Sequence, residues 1–164
     1  MTSDWHQINQ KFNHLIKQLF HDKDWHKRAE AARELGLMKD GRATNLLCRA
    51  LQKEEDKTVV NRIIEALGRI GDPKCTMRII EKLEEELDKY EGDKFRVIYI
   101  LEALINLKDK RALPYVSSFL NSPDDDLKSL AEKLFDIIEP NWRQIIDESK
   151  KEKSIYEIFS KRKK

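Results

Sequence analysis

A self-similar stretch recurs along this chain, and that recurrence limits the fold more than any other feature. Around Leu35 the sequence reads EAARELGLMKDGRATNLL, around Leu67 NRIIEALGRIGDPKCTMRII, around Leu104 YILEALINLKDKRALPYV, and around Leu134 a weaker LAEKLFDIIEPNWRQII. The anchoring leucines stand 32, 37 and 30 residues apart. Fixed offsets carry the same kind of residue: Met38, Ile70, Leu107 and Ile137 three places on; Leu47, Ile79, Val116 and Ile146 twelve places on; Leu51, Leu83 and Leu120 sixteen places on. Apolar spacings of 3, 4 and 7 mark one face of an α-helix. Each copy therefore reads as two amphipathic helices joined by a tight turn. One such pair cannot bury its apolar faces alone, so the copies must stack and the ends need covers.

The turns carry their own chemistry. Five places past each anchor stands an acid: Asp40, Asp72, Asp109 and Glu139. In Gly71-Asp72-Pro73 the glycine suits a left-handed helix C-terminus, the aspartate can cap exposed N–H groups, and the proline gives up an N–H that has no partner anyway. Ser122-Pro123-Asp124-Asp125 reads as a similar start, and Glu139-Pro140 as the last. Eight places past the anchors stand Ala43, Cys75 and Ala112, and then Trp142. An indole cannot fill a slot shaped for a methyl group, so the repeat is expected to give way there to a capping unit.

The stretches ALGRIGDP (66–73), ELGLMKDGRA (34–43) and ALINLKDKRA (103–112) resemble HEAT-like repeats, in particular the short variety named after phycobilisome lyases. The resemblance covers roughly residues 24–146. It implies an all-α fold, a short right-handed α-solenoid of about four helical hairpins with an N-terminal capping helix. The expected organisation is a single repeat domain over 1–152, with a capping helix at 4–20 and pairs at about 24–53, 55–90, 92–121 and 123–152. A C-terminal basic tail or short capping helix follows at 153–164. Trp5, Ile8, Phe12, Leu15, Ile16 and Leu19 share a face of the first helix, and the run from Glu84 to Tyr90 is expected to lengthen the second helix of the second pair.

Composition closes off other classes. The longest apolar stretch is 97–101 and the mean hydropathy is −0.71. A membrane span needs about 20 apolar residues, so none is expected. Five Gly and four Pro argue against a turn-rich β protein. Cys48 and Cys75 cannot build a disulfide framework, and the first ten residues lack the apolar core of a secretion signal. A reducing, cytoplasmic setting is the expectation.

The formal charge of +2 is unevenly spread: +4 over 1–53, −4 over 54–94, −1 over 95–146 and +3 over 147–164. The acidic run Glu81, Glu84, Glu85, Glu86 and Asp88 reads as a solvated helix face, or as a patch for a basic partner. Basic residues seven places past the first three anchors, Arg42, Lys74 and Arg111, give way to Asn141 in the fourth copy. In HEAT-like proteins such second helices line the concave side, so the resemblance makes Arg42, Asn45, Arg49, Lys74, Arg78 and Arg111 candidates for binding. It equally implies that a basic side chain here bonds the turn acid of a neighbouring repeat.

Catalytic and metal signals are weak. His6, His14, His21 and His26 contain no i, i+4 pair and no HExxH stretch. The His-Glu dipeptides of HEAT-like di-iron hydroxylases do not occur. Gly36 to Gly41 follows a helix rather than a strand and is no phosphate loop. Cys75 occupies a small core slot, and Cys48 has no visible base beside it. Trp5, Trp25 and Arg28 bear only a loose likeness to HEAT-like DNA glycosylases, and Trp25 reads better as a core or seam residue. No catalytic residue, metal site or cofactor is assigned. The sequence favours a non-catalytic module that binds another protein through its concave face. A nucleic-acid-binding module using the basic first end and the tail Lys161-Arg162-Lys163-Lys164 is the alternative, and a lyase or chaperone for a cofactor is a third reading.

Overall fold

The computed structural model describes residues 2–149 and 153–161. Ten α-helices occur among them, and no strand: α1 Thr2–His21, α2 Trp25–Met38, α3 Thr44–Lys53, α4 Lys57–Ile70, α5 Thr76–Leu87, α6 Lys94–Leu107, α7 Leu113–Val116, α8 Asp125–Ile138, α9 Trp142–Glu148 and α10 Ile155–Lys161. They gather into two compact units, Met1–Cys75 and Thr76–Lys164. Residues 162–164 of the basic tail lie outside the described residues.

In the first unit α2 packs along α4, with α1 and α3 against α2 and α4 respectively. Leu35, Leu67, Ile63 and Leu47 are fully buried. The approach of α2 to α4 is set by Gly36, where an added Cβ would stand 2.7 Å from Ala66 Cα. Phe12, Leu15 and Leu19 of α1 are buried, but Trp5 and Ile8 are 67% and 49% exposed. The apolar face expected along the whole of α1 is therefore used only over its later turns.

In the second unit α5 packs on α6, α6 on α8, and α10 on α7. Leu104 and Leu134 have no exposed surface, so all four anchors are core residues. Trp142 is buried against Phe135 (centroids 5.4 Å apart) and its Nε1 donates to Asp136 Oδ1 at 2.7 Å. Phe159 of α10 meets the same Phe135 edge-on at 5.1 Å. The large indole thus recruits an aromatic cluster where earlier copies need only a methyl or thiol. The cluster also shifts the register of α9: Ile145 is buried and Ile146 only half-buried.

Aspartates start the helices. Asp24, Asp56, Asp93 and Asp124 each accept from N–H groups two or three residues ahead, at 2.9–3.3 Å. The expected start at Ser122 is corrected by this pattern: Asp124 is the cap, and Ser122 Oγ accepts the N–H of Asp124 at 3.1 Å. The third second-helix is also shorter than expected. It is α-helical only over Leu113–Val116 and continues as a 3-10 turn over Ser117–Asn121. Ser117 Oγ donates to Pro114 O at 2.7 Å, a local bond that competes with regular helix.

Helix ends repeat as well. Lys39, Gly71 and Lys108, each four places past its anchor, have φ of 50°, 75° and 54°. Only glycine takes this left-handed conformation without a Cβ penalty. Lys108→Gly, and independently Lys39→Gly, is expected to raise stability by roughly 0.5–1 kcal/mol, read as a higher denaturant midpoint at unchanged slope.

Helix α5 stops at Leu87 and does not run to Tyr90, as the acidic run had suggested. Glu86 is not solvated either: its side chain is 3% exposed. Lys89 Nζ donates to its Oε1 at 2.6 Å, and the N–H of Asp93 to its Oε2 at 3.0 Å. Gly92 sits where a Cβ would be 2.7 Å from Glu86 O. A buried carboxylate thus folds the α5–α6 loop back on the helix end, and the helix cannot continue.

Candidate functional site

The turn acids and the basic residues two places after them form a local pair. Asp40 Oδ1 accepts the N–H of Arg42 at 3.0 Å, and the guanidinium grips the same carboxylate, Nη2 to Oδ2 at 2.6 Å. Asp109 and Arg111 repeat this with the same distances. The acid of the same turn is therefore the partner, and the neighbouring-repeat pairing implied by the resemblance is corrected. The reason is geometric: the 3-10 turns Gly41–Ala43 and Lys110–Ala112 place the capping carboxylate beside both the N–H and the side chain of the residue two ahead. Asp72 accepts the N–H of Lys74 at 3.0 Å. Glu139 differs. It closes α8, and its Oε2 lies 3.9 Å from Lys110 Nζ.

These pairs shape the electrostatics. The Arg42 guanidinium holds the Asp40 carboxyl below the usual carboxylate range. Burial pushes the Asp109 carboxyl up, but hydrogen bonds from the Arg111 side chain and N–H outweigh it, and the net direction is down. The Arg42 guanidinium also lies 4.5 Å over the Phe12 ring.

In the first unit Arg42, Asn45 and Arg49 are exposed, at the helical spacing of 3 and 4, and the Pro73–Cys75 turn that carries exposed Lys74 packs against α3. Asn45, Arg49 and the Lys74 ammonium have no ion pair or side-chain hydrogen bond among the described residues. In the second unit Arg78 pairs with Glu81 at 3.2 Å. Of the expected binding residues, then, Arg42, Arg78 and Arg111 already face carboxylates of this chain, while Asn45, Arg49 and Lys74 present open polar groups.

Arg28 is spoken for by Glu54, Nε and Nη2 each donating at 3.0 Å, with side chains only 19% and 10% exposed. This pair borders a cavity of about 320 Å³ in the first unit. Sequence reasoning missed it because 26 residues separate the partners. Trp25 is corrected too: it is 39% exposed and stacks on His26 at 3.5 Å, so it is not a core residue. Position one of α2, beside the capping Asp24, faces outward. Cys75 is buried and its Sγ donates to Asp72 O, whereas Cys48 is half-buried. No group of three His, Cys, Asp or Glu side chains that could hold a metal occurs among the described residues, and none of their helices is long and apolar enough to cross a membrane.

Residues 12–96 match the family model described as HEAT repeats. The chain belongs to the HEAT-repeat family. The family read from residues 66–73 and their two sister stretches is thus the one the match returns. The HEAT-repeat chain is 30% identical to the bilin biosynthesis protein PecE of Mastigocladus laminosus over 65% of its own length and 37% of that protein. It is 27% identical to the PecE of Nostoc sp. (strain PCC 7120 / SAG 25.82 / UTEX 2576) over 78% of its length and 51% of the relative. It therefore spans only about a third to a half of these relatives. Among solved structures, the complex of CpcE and CpcF of phycocyanin lyase from Nostoc sp. PCC7120 contains a similar chain, with a TM-score of 0.68 at 18% identity over 90% of this chain and 61% of that one. At this identity the likeness speaks for the helical-repeat fold.

Proposed function

We propose that this HEAT-repeat chain is a non-catalytic scaffold that binds another protein through the exposed surfaces of its second helices. Asn45, Arg49 and Lys74, flanked by Arg42, are the contact residues in the first unit, and Arg78 and Arg111 those in the second. The observation that carries the reading is the set of open polar groups on α3 and the adjoining turn, where the side chains of Asn45, Arg49 and Lys74 are exposed and close together along the surface of one unit. The solved complex of CpcE with CpcF supports a protein as the partner, since a chain of this fold assembles there with another. Any chemistry related to the bilin biosynthesis proteins would then belong to the assembly, with this chain supplying a binding surface.

Affinity capture with the full chain, followed by mass spectrometry, tests the reading. The expected result is one recurrent protein partner whose recovery falls about tenfold or more with the double change Arg49→Glu and Lys74→Glu, because reversed charge at an interface is strongly unfavourable. Capture of nucleic acid without a recurrent protein would overturn it. The nucleic-acid alternative loses support from the pairing of Arg42, Arg78 and Arg111 with their own carboxylates, which leaves less free charge for phosphates. It requires strong binding to mixed DNA or RNA at low salt, where phosphate contacts are tightest. A bilin-handling role requires that adding a bilin to the captured assembly shift its visible absorbance.

A further inference from the structure

A second feature of the first unit lies apart from the proposed protein-binding surface. His14, Lys17, Gln18 and His21 stand at i, i+3, i+4 and i+7 on α1 and so share one face. Together with Asp22 and Lys27, which follow the end of α1 and open α2, they line a cavity of about 440 Å³. Five of these six side chains can donate hydrogen bonds. The sixth, Asp22, already accepts the N–H of Asp24 at 2.9 Å. Several other cations of this unit meet carboxylates: Lys11 with Glu34, Arg28 with Glu54, Arg33 with Glu30, and Arg42 with Asp40. Lys17 and Lys27 have no such partner among the described residues, nor do the His14 and His21 rings.

We infer that this cavity binds a compact polyanion, a small molecule carrying two or more phosphoryl or carboxylate groups. The two ends of the His14–His21 face are about 10 Å apart along the helix axis, so donors at both ends can engage separate anionic groups of one ligand. The lysines supply charge, and the imidazoles and the Gln18 amide supply directed donors. Two ammonium groups among the lining residues disfavour a metal ion. This site does not depend on the protein-binding reading.

The test is a titration of the full chain, labelled with nitrogen-15, in a cationic buffer at low salt. Pyrophosphate is the ligand in one arm and citrate in the other. Saturable shifts of amide and imidazole signals confined to residues 14–27 are expected in at least one arm, and the tighter arm tells phosphoryl from carboxylate chemistry. Lys17→Ala and Lys27→Ala should each weaken binding by about fivefold to tenfold, and His14→Gln with His21→Gln by a similar factor, as lost charge-assisted bonds do. Lys128→Ala, at an exposed position of α8 in the second unit, should leave it unchanged. All these side chains are exposed or lie at the surface of the cavity, and the wild-type shift map needs no variant at all. The inference is overturned if neither ligand saturates by about 10 mM, a level that marks very weak affinity. It is equally overturned if the shifts scatter over both units, or if Lys128→Ala weakens binding as much as Lys17→Ala does. Partner capture should be unaffected by Lys17→Ala and Lys27→Ala, so failure here is distinguishable from failure of the scaffold reading.

Discussion

Gly36→Ala will destabilise the protein by about 2–3 kcal/mol, although the residue sits inside a helix where alanine normally improves stability by about 1 kcal/mol over glycine. The local and tertiary arguments predict opposite signs, so the measured direction decides between them. The tertiary term wins because the new methyl would stand 2.7 Å from Ala66 Cα and 2.9 Å from Ala66 Cβ. The nearest atom is backbone, and relief requires α2 and α4 to move apart. That movement would loosen contacts around Leu35, Ile63 and Leu67, which are fully buried. Gly41→Ala is the matched control. Nothing lies within 4 Å of a Cβ added there, so its effect should stay within about 0.5 kcal/mol. Urea unfolding of the three proteins gives the comparison. A Gly36→Ala variant as stable as the parent would mean that α2 and α4 do not depend on this close approach.

Glu86→Ala will cost about 3 kcal/mol, an effect far larger than that of its exposed neighbours Glu84 and Glu85. The substitution removes the acceptor of the Asp93 N–H and of Lys89 Nζ, and a carboxylate 3.6 Å from the buried Arg96. Glu86→Gln keeps the shape and loses the charge, so it should cost less. The parent's pH dependence follows from the same contacts. Burial pushes the Glu86 carboxyl up, but the Lys89 ammonium, the Asp93 N–H and the nearby Arg96 outweigh it, and the folded value lies below the ordinary 4.5. The unfolded chain therefore binds this proton more readily than the folded one. Deprotonated Glu86 stabilises the fold above a pH of about 4.5, and the contribution disappears as pH falls through the lowered value. Urea midpoints between pH 3 and 6 should show a slope that is shallower in Glu86→Gln. An unchanged slope would show that the latch at the α5–α6 loop carries no net charge stabilisation.

Periodicity made the four anchors legible. Leu35, Leu67, Leu104 and Leu134 all lost their exposure because a helix can bury only one face, and the spacing names that face. Turn chemistry made Asp40, Asp72 and Asp109 legible for a similar reason, since a capping carboxylate acts within two or three residues of itself. The candidate site was harder to read. Arg42 and Arg111 were recognised as basic positions of each copy, but their partners were sought one repeat away. The turn geometry that joins them to their own acid is set by backbone angles, not by residue type. Glu86 was misread because its neighbours Glu84, Glu85 and Asp88 are exposed, and nothing in a run of acids marks the one that a later loop will cover.

Local rules written in the order of residues thus gave the helical hairpins, the turn acids, the buried anchor positions and the membership of the HEAT-repeat family. What needed three dimensions were pairings across longer stretches of chain: Gly36 against Ala66, Arg28 with Glu54, and Phe135 with Phe159. The physical reason is range. Helix period and capping are decided within a few residues, where sequence and geometry coincide. Close approach and charge pairing depend on which surfaces packing brings together.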